Sequence, residues 1–192
     1  MLLLLTASFS YANYFYFDDY INHPPYNEQI DTMGQELYAK TNWSAYLVVI
    51  EDINNSAPSD REKLFAYEKE IIPALQEPYV LMVLAIKQQK VHITGSEGFG
   101  EMFDPIEVLE ESVYPLLGSK IKGDDRQKYL AVTLNGYGEI VDKIAQHYNV
   151  SLENSIGDTN KNTINFLRVL FYAILVGALG IYVYRRYLKK RI

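Results

Sequence analysis

Cysteine is absent from this 192-residue chain. Disulfides, Cys-ligated zinc, attached haem c and thiol catalysis are thereby excluded, and a domain outside the cytoplasm would have to be held by its core alone. Histidine is scarce as well. His23, His92 and His147 are far apart with no second histidine at ligand spacing, and each reads as a surface or packing residue rather than a zinc ligand or catalytic group. There is no Gly-x-Ser-x-Gly elbow, phosphate loop or EF-hand spacing, and Gly95, Gly98 and Gly100 do not match the dinucleotide fingerprint. No nucleophile with an adjacent base can be named. Catalytic residues therefore stay unassigned, and no organic cofactor site is expected.

Charge is missing in a pattern. No Lys or Arg precedes Lys40, and no Asp or Glu lies outside residues 13–164. The net charge of −6 hides this asymmetry: all 24 acidic residues fall within 13–164 beside 12 of the 18 Lys and Arg, whereas the remaining six cations follow Ile164. An acidic domain of this kind is a poor nucleic-acid binder, because phosphate contacts need clustered cations. It suits solubility, divalent cations or a basic partner surface better.

Between the two ends no long uncharged run occurs. From Val169 to Tyr184 the chain has no charge, and Ile164, Phe166 and Leu167 extend the apolar stretch across Arg168, whose side chain can snorkel to headgroups. A transmembrane helix at 164–184 is expected. Five cations follow it in the basic tail at 185–192, which the positive-inside rule places in the cytoplasm. At the other end, Leu2 to Leu5 open a short apolar run reaching Ser10-Tyr11-Ala12, a small-x-small pattern accepted by signal peptidase. Residues 1–12 are thus expected to be a signal peptide, truncated at its start because a basic leader is lacking. The two ends imply a single-pass protein of the inner (plasma) membrane with its domain in the periplasm or outside.

Between the ends there is room for one domain. Residues 13–25, aromatic and acidic and closed by Pro24-Pro25, read as a linker or edge segment. The domain is expected at 26–150, followed by an Asn- and Ser-rich tether at 151–163. Ile30, Met33, Leu37 and Tyr38 recur at helical spacing, and the continuous apolar run from Ala45 to Ile50 reads as a buried strand. Ser59 with Glu62 forms a capping box before a second helix disturbed near Pro73. Tyr79 to Ile86 reads as a central strand. Val91 to Thr94 reads as its antiparallel partner, because the connection is too short for a crossover. Asp104, Pro105 and Glu107 start a third helix with Ile106, Leu109, Val113 and Leu116 on one face. A long fourth helix from about Arg126 to Tyr148 is expected to turn Leu130, Leu134, Val141, Ile144 and Tyr148 inward. The fold class implied is α/β, a small mixed sheet covered by helices on its faces.

The strand AYLVVIED, the strand VLMVLAI with its KQQKVHITG return, and the segment GSEGFGEMFD resemble the TPM domain family, which includes plant thylakoid-lumen proteins and a nematode receptor-accessory protein. The likeness runs from about Ile30 to Tyr148. Laid without a gap on the family pattern GxGLEGxLTD, Gly95, Gly100 and Asp104 fall on the first glycine, the later glycine and the aspartate. Phe99 replaces the pattern's glutamate, and Pro78-Tyr79 replaces the family's Asn-Gly ahead of the central strand. The resemblance implies a TPM-like sandwich, often anchored, with acid phosphatase activity or cation binding described for some members.

Independently of that likeness, Glu97, Glu101 and Asp104 lie close together on a glycine-rich loop that can bend carboxylates inward, and Asp52 after the first strand is expected to approach the same edge. Asp52, Glu97, Glu101 and Asp104 are therefore the candidate ligands of calcium or another divalent cation. The function implied is a non-enzymatic outer-face accessory domain, with the bilayer and a membrane protein complex as partners. A cation-dependent phosphatase is the alternative.

Overall fold

The computed structural model describes residues 14–17, 21–119 and 125–156. Four strands form one sheet in the order β1-β2-β3-β4, with β1 at Phe15–Phe17, β2 at Ser44–Ile50, β3 at Tyr79–Ala85 and β4 at Lys90–Gly95. β1 pairs parallel to β2 and β2 parallel to β3, whereas β4 returns antiparallel on β3 as the short connection requires. β1 lies inside the stretch read as a linker or edge segment, and it is an edge strand.

Helix α1 spans Pro24–Thr41, starting on the two prolines that fix φ at its first positions and ending where Asn42 turns left-handed at φ 62°. Helix α2 spans Asp60–Ile71, and Pro73 converts its end into a 3₁₀ turn at Ile72–Ala74. At its start the Ser59 hydroxyl accepts from the Glu62 amide at 3.3 Å and donates to the Glu62 carboxylate at 2.7 Å. The alternation of β2 and β3 sorts two cores. Tyr46, Val48, Leu81, Val83 and Ala85 join Leu64 of α2 on one face. On the other, Met82 meets α6, the long helix at Asp125–His147, and α1 packs along α6. A Cβ at Gly136 of α6 would lie 2.7 Å from the Met82 methyl and 2.8 Å from Val113, so this close approach requires glycine.

Two helices differ from the sequence reading. The third is broken into α4 at Pro105–Val108, a π turn at Leu109–Val113 and α5 at Tyr114–Leu117, following a short α3 at Phe99–Met102. Pro115 lacks an amide hydrogen and its ring crowds the carbonyl one turn back, which opens the widened turn. The inward face shifts accordingly: Val108, Leu109 and Val113 are buried, whereas Ile106 is 61 % exposed. In α6 the inward face is Tyr129, Val132, Thr133, Tyr137, Ile140, Val141 and Ile144. Leu130 and Leu134 are half-buried and Tyr148 is exposed. Hydroxyls tip the balance, because Tyr137 donates to the Ala45 carbonyl at 3.0 Å and Thr133 bonds the Tyr26 hydroxyl, so these polar-capable side chains are satisfied inside.

The expected tether begins inside the domain. Leu152 and Ser155 are buried, and the Glu36 carboxylate accepts from the backbone amides of Glu153 at 2.6 Å and Asn154 at 2.9 Å. Lys40 joins the clasp, donating to Glu36 and to the Ser151 carbonyl at 2.7 Å each, while Ser155 bonds Asp142 of α6. Ser155 closes the compact unit. The expected signal segment at 1–12, span at 164–184 and basic tail at 185–192 lie outside the described residues. Among the described residues no helix is long and apolar enough to cross a membrane.

Candidate functional sites

The expected cation ligands do not converge. Ile50 of β2 lies opposite Ala85 of β3 and that residue opposite Lys90 of β4, whereas Ser44 lies opposite Tyr79 and Val80 opposite Gly95. Asp52, just past β2, is therefore at one end of the strands. Glu97, just past β4, is at the other, because the antiparallel return carries the glycine loop back to the far rim. Six residue steps separate the rims, about 20 Å at roughly 3.3 Å per residue. Asp52 thus does not approach the edge that carries Glu97, Glu101 and Asp104.

Two of the four carboxylates also have local partners. Asp104 caps α4, accepting from the Ile106 amide at 2.8 Å, as its sequence context predicts. Asp52 accepts from Gln88 Nε2 at 2.7 Å and lies 3.5 Å from Lys87 Nζ, and these partners, the Gln88 bond foremost, hold its carboxyl below the usual range. Glu97 and Glu101 are exposed. Among the described residues no group of three or more His, Asp or Glu is arranged to hold a metal ion.

A constellation not anticipated from the sequence lies between α2, β4 and the π turn. Glu68 of α2 is only 4 % exposed, and its carboxylate oxygens lie 2.8 and 3.0 Å from Nδ1 of His92 on β4. Burying a carboxylate costs several kcal/mol unless it is paired. Here a carboxylate can only accept, so Nδ1 carries the hydrogen and the ring is fixed in one orientation. Phe65 meets the imidazole edge-on at 4.9 Å. His92 lines a cleft of about 260 Å³ floored by Leu64, Phe65, Val91 and Leu109, with Tyr114 on one side and Arg61 and Lys90 at the rim. The Arg61 guanidinium rests over Phe65 at 5.2 Å. The clue available in the sequence was Glu68 itself, four residues after the buried Leu64 and so on the inward stripe of α2.

A second hollow, about 320 Å³, lies beside β1 and is bounded by Tyr14, Tyr46 and the chain at Ala74–Gln76. Tyr14 and Tyr46 stack at 5.7 Å. Burial, reinforced by Tyr46, Tyr38 and Asp31, pushes the Tyr14 phenol up to about 12, so it stays neutral and serves packing rather than proton transfer.

No protein-family model matches the chain, and no curated protein matches it. Solved structures do. The N-terminal domain of a P. gingivalis protein, determined by solution NMR, aligns with a TM-score of 0.55 at 12% identity, over 74% of this chain and 88% of that one. The N-terminal domain of the Corynebacterium glutamicum protein cg2496 aligns with a TM-score of 0.50 at 10% identity, over 76% and 86%. The chain shares the mixed α/β fold of these domains. At such identities the likeness concerns fold alone.

Proposed function

We propose that this chain is a TPM-type accessory domain, non-enzymatic and anchored on the outer face of the plasma membrane, that binds and helps assemble or maintain a membrane protein complex. The observation that carries this reading is the fastened exit of the fold. Glu36 and Asp142 hold the chain through Ser155, nine residues before the apolar run opening at Ile164. A domain attached through its C-terminal end transmits any load through that point, and a clasp closed there by the half-buried Glu36 and the buried Ser155–Asp142 bond suits such attachment. The separation of Asp52 from the acidic loop gives a cation-dependent phosphatase no comparable support.

The test has two arms. A reporter active only outside the cytoplasm should work when fused near Ser151 and be silent when fused after Ile192. Truncation after Asn162 should leave cooperative unfolding intact yet abolish complementation of a deletion strain, since the anchor supplies the effective concentration. Metal-dependent turnover of a generic phosphate ester by the truncated protein would instead make it an enzyme, and the reverse reporter pattern would remove the outer-face assignment.

A further inference from the structure

The Glu68–His92 pair does more than fasten α2 to β4. Because Nδ1 is committed to the buried carboxylate, Nε2 is the ring nitrogen left for a further partner, and His92 lines the cleft. Arg61 and Lys90 stand at the same rim, and neither forms an ion pair with a carboxylate among the described residues. The floor under them is apolar. We propose that this cleft is a binding site for a small monoanionic organic acid, a carboxylate carried on an aryl or alkyl body.

Charge and shape select that class. Arg61 and Lys90 bring two positive charges against the one negative charge of the Glu68 carboxylate, a difference that a monoanion balances and a phosphate dianion exceeds. The guanidinium presents a planar fork that matches a carboxylate. The apolar body of the ligand would lie on Leu64, Val91 and Leu109, and a volume near 260 Å³ admits a ring with a short chain. Binding would then pair Arg61 and Lys90 at the moment it covers the floor.

The probe is 3-phenylpropionate, titrated at neutral pH into the full chain in detergent micelles. Its uncharged counterpart 3-phenylpropan-1-ol and phenyl phosphate serve as comparisons. Heat of binding gives the affinity, and the Nε2 resonance of His92 in ¹⁵N-histidine-labelled protein gives the location. The acid should bind with a saturable shift at His92, and the alcohol should bind at least tenfold more weakly. Arg61→Gln and Lys90→Gln should each weaken the acid roughly tenfold, the worth of one charge-assisted hydrogen bond, with cooperative unfolding retained. Equal affinity for acid and alcohol would reduce the cleft to an apolar slot, and a tenfold preference for phenyl phosphate would make it a phosphate site. Either result overturns the proposal, as does the lack of a His92 shift at about 10 mM acid. None of these outcomes bears on membrane anchoring.

Discussion

Replacing Glu36 by glutamine should loosen the end of the domain without touching its core. The carboxylate, with 12 % of its side chain exposed, collects four hydrogen bonds: from Lys40 at 2.7 Å, from the amides of Glu153 and Asn154 at 2.6 and 2.9 Å, and from Asn154 Nδ2 at 2.9 Å. Burial works against the charge and would raise its pKa. The donors outweigh burial, and the carboxyl falls from 4.5 to about 2. At 1.36 kcal/mol per pH unit, that displacement corresponds to a ceiling of about 3 kcal/mol, and partial solvent access brings the expected loss in Glu36→Gln to roughly 1–2 kcal/mol. Because the folded carboxyl is the stronger acid, its contribution is complete above about pH 4.5 and disappears as pH falls toward 2. Urea unfolding at pH 7 and at pH 3 should therefore show the wild type losing stability that the variant never had, so the two converge in acid. Amide exchange at Glu153 and Asn154 should accelerate in the variant. A difference under about 0.5 kcal/mol at pH 7, unchanged at pH 3, would refute the clasp as a source of stability.

Gly136→Ala should cost about 1–3 kcal/mol through overpacking against Met82 and Val113, and Met82→Val, which withdraws the crowding methyl, should recover part of it in the double variant's thermal unfolding. Asp104→Ala should lower stability by about 1 kcal/mol through the lost cap on Ile106, whereas Asp104→Asn, which keeps an acceptor, should cost less than half as much in the same denaturant series.

What could be read from the sequence followed from signals that act locally. Continuous apolar runs gave β2 and β3, the short polar connection gave the antiparallel β4, and Ser59 and Asp104 marked the helix starts where their side chains bond. Features set by distant partners were not legible. The inward turn of Tyr137 depends on the Ala45 carbonyl, 92 residues away, and the burial of Glu68 depends on His92, 24 residues away. The two rims could not be told apart either. Asp52 and Asp104 both follow strands, but only the pairing register shows that those strands point in opposite directions. The polar stretch after Val150 read as a tether because its Ser and Asn content is typical of one, while the carboxylate that captures its backbone lies on α1.

That capture also sets a length. Left free, the five residues from Ser151 to Ser155 would add at most about 18 Å to any link that follows, taking roughly 3.5 Å per residue, and the capture removes that reach. For a domain anchored as proposed above, the volume it can sweep scales as the cube of its reach, so the capture narrows it. A partner fixed within the smaller volume meets the domain correspondingly more often, and one beyond it is not met at all. Under that anchoring Glu36 is a latch: opening it, by acid or by substitution, exchanges local encounter frequency for range.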